Sequence, residues 1–408
     1  MMTTAVSGIN VLTDGCVTSP NGYSAGGVHC GIRRKKLDLG WIFSATPASS
    51  AGVYTTNRFQ AAPLSITKES IAVEQKLQAV LVNSGVANAC TGEQGLIDAR
   101  WMRSAFARLL GIKEHLAGVA STGLIGPELP VSKIEKGLIK FGEPESHGAD
   151  LFETAIQTTD TSQKRAAVQF EADGKKITVG GAAKGSGMIH PNMATMLGFI
   201  TTDADVSGQD LQKALREAVN RSFNMITVDG DSSTNDMVLI MANGKAGNSP
   251  LTEEHPDWET FTQALEKICT MLARQIARDG EGAARLIETT VTGAATEEAA
   301  GKVAKAVISS NLVKTAVFGT DPNWGRIVCA VGYSGEPVEP EKISVKLGHI
   351  PLFKNGVPLP FDEIEGIAYL NQETVSIFVD LGQGEAEATA WGCDLTYDYI
   401  KINASYRT

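Results

Sequence analysis

Residues 184–199 read KGSGMIHPNMATMLGF, a run of small and apolar residues near the middle of the chain. Between Gly180 and Thr202 the only formal charge is that of Lys184, although charged residues make up 20% of the whole sequence. A segment with so little to offer water is typical of a buried position or a cavity wall. The apolar run from Met196 to Ile200 predicts a buried strand. Thr195 therefore stands at the mouth of a strand, a position that suits a nucleophile.

Residue types alone leave the role of Thr195 open. A threonine hydroxyl is a weak nucleophile unless a base activates it, and the only titratable groups nearby are Lys184 and His190. A Gly-rich turn that enters a core strand is favoured on residue types alone. The segment is not a phosphate-binding P-loop, because its Lys precedes the Gly-Ser pair.

Length and charge limit the classes of function. A chain of 408 residues predicts two or three domains with real cores. The 46 acidic residues outnumber the 36 basic ones for a net charge of -10, which disfavours nucleic acids and anionic membrane surfaces as partners. No run of 18 apolar residues predicts a membrane span, and the first residues lack the pattern of a signal peptide.

Cysteine and histidine spacing predicts neither a disulfide framework nor a metal site. The cysteines occur singly, without a C-x-x-C pair, and the six histidines show no ligand spacing. We therefore expect no metal, and buried free thiols in the reducing cytoplasm. The cysteines are Cys16, Cys30, Cys90, Cys269, Cys329 and Cys393.

The segment Lys184–Phe199, with Thr201-Thr202-Asp203-Ala204 after it, resembles the cleavage-site segment of the ornithine acetyltransferase family, the glutamate N-acetyltransferases of arginine biosynthesis. That family is similar in fold to N-terminal-nucleophile hydrolases. The resemblance implies an α/β (α+β) fold, with an αββα sandwich and a smaller α+β C-terminal domain. We place these domains at residues 1–282 and 283–408, the second completing the substrate site.

The resemblance also implies that the chain cuts itself before a Thr in an Ala-Thr-Met-Leu context. Here that is the Ala194–Thr195 bond, which would give an alpha chain 1–194 and a beta chain from 195. The cut frees the α-amine of Thr195, whose ordinary pKa of about 7.7–8 suits a base for its own hydroxyl. Cleavage would therefore create the base that the uncut sequence lacks.

A Thr-Gly step in the segment Val119–Pro127 is the second feature of interest. A hydroxyl and a backbone N–H that point the same way can hold an oxyanion, although a turn is the commoner reason for such a step. The resemblance assigns the oxyanion hole to Thr122 and Gly123, with Ser121 the neighbour most easily confused with them. It assigns substrate contacts to Thr158, Lys184, Thr195, Glu281, Asn403 and Thr408.

The implied reaction moves acetyl from N2-acetyl-L-ornithine to L-glutamate through an acetyl ester of Thr195. Judged by charge, Lys184 suits a substrate carboxylate and Glu281 suits the side-chain ammonium of ornithine. No cofactor is implied, and the sequence leaves open whether acetyl-CoA is also a donor. The resemblance further implies a heterotetramer of two alpha and two beta chains.

Two alternatives stay open at this stage. One is an N-terminal-nucleophile amidohydrolase or aminopeptidase, in which water takes the place of glutamate. The other is a non-catalytic amino-acid-binding protein with an uncut chain, which would need Lys184 and Glu281 but no reactive Thr. The polar loop Thr227–Asp236 lacks the spacing of a calcium loop, and its role is undecided.

Two local patterns give sharper structural predictions. Asp173-Gly174 predicts a hairpin turn that leads the chain into the Lys184 segment. Ile97, Trp101, Ala105 and Leu109 recur every four residues and predict an amphipathic helix that packs this face on a sheet.

Overall fold

The computed structural model describes residues 8–190 and 196–405. Within them the strands are β1 (Asn10–Val11), β2 (Tyr23–Val28), β3 (Leu39–Tyr54), β4 (Lys76–Val86), β5 (Ala117–Leu124), β6 (Lys164–Ala172), β7 (Lys175–Lys184), β8 (Leu197–Thr202), β9 (Ile226–Thr227), β10 (Met237–Ala242), β11 (Leu286–Ala294), β12 (Ser344–Leu347), β13 (Ile350–Lys354), β14 (Val357–Pro358), β15 (Thr374–Asp380) and β16 (Ala386–Cys393). The α-helices are α1 (Ala62–Glu74), α2 (Gly92–Leu110), α3 (Val131–Ile139), α4 (Ala149–Ala155), α5 (Gly208–Asn220), α6 (Trp258–Arg278), α7 (Glu297–Ser309), α8 (Asn311–Phe318), α9 (Trp324–Gly332), α10 (Glu363–Leu370) and α11 (Tyr397–Ser405).

One long strand, β3, folds the larger sheet into two layers. The strand order is β1-β6-β7-β8-β10-β3-β4-β5, and β2 also pairs with β3. The pairing of β3 with β4 is irregular between Phe43 and Ala48, while the last part of β3 pairs with β10. Apolar side chains of the two layers meet in one core, with Ile42 and Val80 from one side and Phe199 and Leu239 from the other.

Helices cover both outer faces of this double layer. On one side Met102 and Phe106 of α2 pack with Leu81 of β4. On the other side Leu265 of α6 shares a core with Val168 of β6. The order of layers is therefore helix, sheet, sheet, helix, which confirms the predicted αββα sandwich.

A smaller sheet has the strand order β14-β13-β12-β15-β11-β16-β9. Helices α7, α8 and α9 share a hydrophobic core with one of its faces, and Trp391 and Cys393 of β16 join the core of α6 on the other. The strand β9, from the earlier part of the chain, pairs with β16 in this sheet. The boundary between residues 282 and 283 stays a prediction.

The two local predictions had different outcomes. Asp173 and Gly174 both have positive φ, 52° and 66°, and join β6 to β7 as expected of a tight hairpin. The helix α2 also exists, but its predicted buried face is wrong, because Ile97 is 50% and Leu109 is 45% exposed. A four-residue spacing advances about 40° beyond a full turn at each step, so the four residues do not share one face, and only Trp101 and Ala105 pack partly against the core.

The six cysteines are free thiols, but the prediction that all of them are buried is wrong. Cys90 and Cys329 are exposed, whereas Cys269 and Cys393 are buried. Among residues 8–190 and 196–405 no cluster of three or more metal-ligating side chains occurs. The described helices include none that is both long and apolar enough to cross a membrane.

Candidate active site

A cavity opens where β5, β7 and β8 meet the loop Thr227–Asp236 and the helix α11. The described residues predicted from the sequence all line it: Thr122, Gly123, Thr158, Lys184, Glu281 and Asn403. Asp229, Asp231, Asp236 and Tyr399 line it as well. Ala194, Thr195 and Thr408 lie outside the described residues, and their roles stay predictions.

The end of β5 separates the three residues of the Ser-Thr-Gly run. The hydroxyl of Ser121 donates a hydrogen bond of 2.5 Å to Oδ1 of Asn83 and is buried there. Thr122 and Gly123 face the cavity instead. Gly123 has a φ of 133°, and a Cβ on it would stand 2.3 Å from the carbonyl carbon of Gly85, so a side chain has no room. The arrangement leaves Thr122 and Gly123 as the candidate oxyanion donors.

Lys184 ends β7 and reaches across the cavity. Its Nζ donates to Oγ1 of Thr122 at 3.2 Å and to Oγ1 of Thr158 at 3.0 Å. Burial lowers the pKa of Lys184, and the carboxylates of Asp160, Asp236 and Glu281 oppose that shift. An amine held between two hydroxyls beside the candidate oxyanion hole suits an anionic group of a ligand.

A buried ion network lies beneath Lys184. Asp160 accepts hydrogen bonds from Nζ of Lys164 at 2.7 Å, from the backbone of Gly185 at 2.7 Å and from the backbone of Thr158 at 2.9 Å. Lys164 also donates to Asp279 at 2.5 Å. Burial disfavours the charge on Asp160, but the two lysine ammoniums outweigh it and hold its pKa well below the usual range. Asp160 thereby fixes Thr158 and the end of β7 at once.

Glu281 approaches the cavity from the end of α6. Its backbone N–H donates to the carbonyl of Ser186 at 3.0 Å. The carboxylate lies directly against Gly187, where a Cβ would come within 2.4 Å of Cδ of Glu281. Asn403 of α11 donates from Nδ2 to Oε2 of the same carboxylate at 2.8 Å. The last helix thus brings a side chain from the end of the chain onto the site, and the carboxylate suits a cationic ligand group.

The loop Thr227–Asp236, whose role the sequence left open, forms hydrogen bonds with both sides of the cavity. Asp229 accepts hydrogen bonds from the backbone of Met188 at 2.7 Å and of Ile189 at 2.8 Å. Asn235 donates to the carbonyls of Ala87 at 2.6 Å and Ser121 at 2.8 Å. The hydrogen bonds to Asp229 fix the chain just before residue 191. Those from Asn235 fix the end of β5 that carries Thr122.

Sequence reasoning missed the importance of Asp160, Asp229, Asn235 and Asp236 as individual residues. The density of polar side chains in the loop Thr227–Asp236 was a signal for three of them. Asp160 gave no comparable signal, because a single Asp in a Thr-rich turn is common on protein surfaces.

Comparison with known proteins identifies the family. The sequence profile of the ArgJ family matches residues 24–408. The chain belongs to the ArgJ family. This membership confirms the resemblance drawn from Lys184–Phe199.

Similar ArgJ proteins match along their full length. A curated relative from Oceanobacillus iheyensis, named arginine biosynthesis bifunctional protein ArgJ, is 59% identical over 408 residues, 100% of both chains. The protein of the same name from Bacillus subtilis is 56% identical over 398 residues, 98% of each chain. A crystal structure of arginine biosynthesis bifunctional protein ArgJ from Bacillus halodurans is 55% identical with a TM-score of 0.51. It covers 52% of this ArgJ-family chain and 100% of its own.

Proposed function

We propose that this chain is a self-cleaving acetyltransferase that moves acetyl from N2-acetyl-L-ornithine to L-glutamate in arginine biosynthesis. The observation that carries the proposal is one cavity in which Lys184, the pair Thr122 and Gly123, and Glu281 surround the start of β8. Thr195 lies two residues before Leu197, the first residue of that strand. The names of the full-length relatives support the same pathway.

In the first stage the hydroxyl oxygen of Thr195 attacks the carbonyl carbon of Ala194, and the C–N bond between them breaks. This step frees the α-amine of Thr195 and leaves Ala194 as an ester on its oxygen. Water then hydrolyses that ester, which frees the hydroxyl of Thr195 and separates the two fragments. The length of the solved relative supports this cut, since its whole chain corresponds to 52% of this one. Residues 195–408 are likewise just over half of the chain.

In the second stage the freed amine accepts the hydroxyl proton of Thr195 as its oxygen attacks the acetyl carbon. The oxyanion lies at Thr122 and Gly123, and the proton passes to the nitrogen of the departing ornithine. The amine of glutamate then attacks the acetyl ester and regenerates the hydroxyl. No metal or cofactor takes part in this scheme. The proposal includes acetyl-CoA as a further acetyl donor.

Charge in the cavity suits the proposed substrate. The ammonium of Lys184 and the hydroxyl of Thr158 face the α-carboxylate that both amino acids share. Glu281, steadied by Asn403, faces the side-chain ammonium of ornithine. The additional acidic groups Asp229 and Asp231 line the same cavity and favour a cationic ligand.

We expect Thr122→Ala to lower the turnover number by roughly 10²-fold, because it removes one oxyanion donor, while the KM for N-acetylornithine changes little. Steady-state kinetics on the cleaved protein measures both. Ser121→Ala is the matched control, since that neighbouring hydroxyl bonds to Asn83 away from the cavity. Equal turnover of Thr122→Ala and the unmodified enzyme would assign the oxyanion to other donors.

We also expect ping-pong kinetics, because acetyl rests on Thr195 between the two half-reactions. Without glutamate, one ornithine per site should appear in a burst, together with an acetylated 195–408 fragment by mass. Intersecting double-reciprocal plots without that fragment contradict the covalent route. Continued ornithine release without glutamate would indicate the hydrolase alternative, and binding without any turnover the binding-protein alternative.

The two fragments should stay together after the cut. Strand β8 of the 195–408 fragment pairs with β7 of the 1–194 fragment, and β10 pairs with β3 in the same way. The cleaved pair is therefore one folded unit, and we propose that two pairs form a heterotetramer. Size-exclusion chromatography with light scattering tests the assembly.

The six free thiols suit a reducing cytoplasm as the location of the protein.

A further inference from the structure

Asp236 is a buried carboxyl group in the wall of the proposed active-site cavity. It directly precedes β10, whose first residue Met237 pairs with Leu197 and donates a 3.0 Å hydrogen bond to the carbonyl of Met196. The backbone nitrogen of Met196 is covalently bonded to Thr195. The parallel pairing of β10 with β8 therefore sets Asp236 level with the residue that follows Thr195, at the wall of the proposed active-site cavity.

One oxygen of this carboxyl group has no hydrogen-bond partner among the described residues. Asp236 is only 2% exposed, and its Oδ2 accepts no hydrogen bond from the described part of the chain. A buried polar atom of this kind costs free energy, so it calls for a functional explanation. Burial raises the pKa of Asp236 well above its usual range, while the Ser233 hydroxyl and the Lys184 ammonium oppose the shift. The group is thus suited to holding a proton.

We propose that Asp236 is the proton carrier of self-cleavage, an inference that rests on the proposed function of Thr195. When the C–N bond between Ala194 and Thr195 breaks, the leaving nitrogen needs a proton. The hydroxyl that attacks must lose one. Lys184 already donates to the hydroxyls of Thr122 and Thr158, whereas Oδ2 of Asp236 has no hydrogen bond among the described residues.

All the proton transfers that the cleavage requires take place between Asp236 and Thr195. As the hydroxyl oxygen of Thr195 bonds to the carbonyl carbon of Ala194, one oxygen of the neutral Asp236 carboxyl accepts the hydroxyl proton. The other oxygen gives its own proton to the nitrogen of Thr195, and the C–N bond then breaks. The product is an Ala194 ester and a free amine, and Asp236 returns to its starting state. No oxidant, metal or further reactant is required.

The decisive variant is Asp236→Asn, which keeps the shape of the side chain but cannot release a proton. We expect its rate of cleavage, followed by intact mass after purification of the uncut chain, to fall by about 10²–10⁴-fold. Glu153→Gln is the matched control, since Glu153 is 1% exposed, has no hydrogen bond to either carboxyl oxygen among the described residues, and does not line the cavity. It should be cleaved at the unmodified rate.

A second variant separates proton transfer from packing. Asp236→Ala opens a small space, and formate should restore its cleavage, whereas formamide of nearly the same size should not. Thermal denaturation of both variants checks that they fold. Cleavage of Asp236→Asn at the unmodified rate overturns the proposal, as does equal rescue by formamide or failure of formate to rescue a folded Asp236→Ala. An unmodified protein that never cleaves would instead refute the proposed function itself.

Discussion

We expect Thr195→Ala to yield one uncut chain of 408 residues with no measurable acetyl transfer. The substitution removes the hydroxyl that is proposed to attack Ala194, so we expect no cut. It also removes the oxygen that is proposed to carry acetyl. Loss of the nucleophilic hydroxyl lowers turnover by on the order of 10⁶-fold in enzymes that form an acyl ester on a hydroxyl side chain. Intact mass and the release of ornithine from N-acetylornithine measure the two effects separately.

Thr195→Ser is the control for this experiment, because it retains a hydroxyl and loses only a methyl group. We expect it to cut itself and to transfer acetyl at a reduced rate. Binding of N-acetylornithine to the uncut Thr195→Ala protein should persist, since Lys184 and Glu281 are unchanged. Full activity of an unmodified protein that is a single uncut chain would contradict the mechanism.

We expect Asp160→Asn to destabilise the fold more than the loss of a surface charge. Asp160 is fully buried and accepts from Lys164, while Lys184 lies close enough to affect its charge. Removal of one partner from a buried ion network leaves a buried charge uncompensated and typically costs about 3–5 kcal/mol. Urea denaturation on the Thr195→Ala background measures the change, because that background is expected to keep the protein one chain.

The matched control is Glu298→Gln. Glu298 forms an ion pair with Lys302 four residues on, as Asp160 does with Lys164, but both side chains of the control pair are exposed. Water already solvates the control pair, so we expect no measurable change in its free energy of unfolding. Similar losses in the two variants would show that the buried network adds little to stability.

The pH dependence of the Asp160 effect has a definite sign. The pKa of this carboxyl is lowered by folding, so the stabilisation is fully present above its unfolded pKa of about 3.9. It is lost as pH falls through the lower pKa of the folded state. The difference in unfolding free energy between the unmodified chain and Asp160→Asn should therefore shrink below about pH 4. A difference that grows on acidification contradicts the assignment.

Local sequence was sufficient for the elements that depend on local physics. Asp173 and Gly174 tolerate positive φ, so the β6–β7 hairpin was predictable. Val375, Ile377 and Val379 alternate along β15 and are all buried, as a half-covered strand requires. The buried strand after Met196 was predictable from its uninterrupted apolar run.

The exact faces and partners were not predictable in the same way. The helix α2 was correctly predicted, but Ile97 and Leu109 are exposed because the position of the sheet, not the four-residue repeat, selects the buried face. Arg33 belongs to the basic run at residues 33–36, and it donates to the carbonyls of Gln157 and Thr158 and so supports the cavity wall. A charge run carries no information about which distant carbonyls will lie within reach.

By itself the sequence determined the family and the αββα class, because a long motif with an unusual composition carries that information. It also predicted six described residues that line the cavity. The tertiary structure alone decided that Ser121 turns away from the cavity while Thr122 faces it, and that Asn403 meets Glu281. It also decided the positions of Asp160, Asp229 and Asp236. Asp160 accepts a hydrogen bond from Gly185, 25 residues away, and Asp229 accepts one from Tyr399, 170 residues away. Such bonds exist only once the strands have paired. Separation in the sequence hides such contacts, and packing in space creates them.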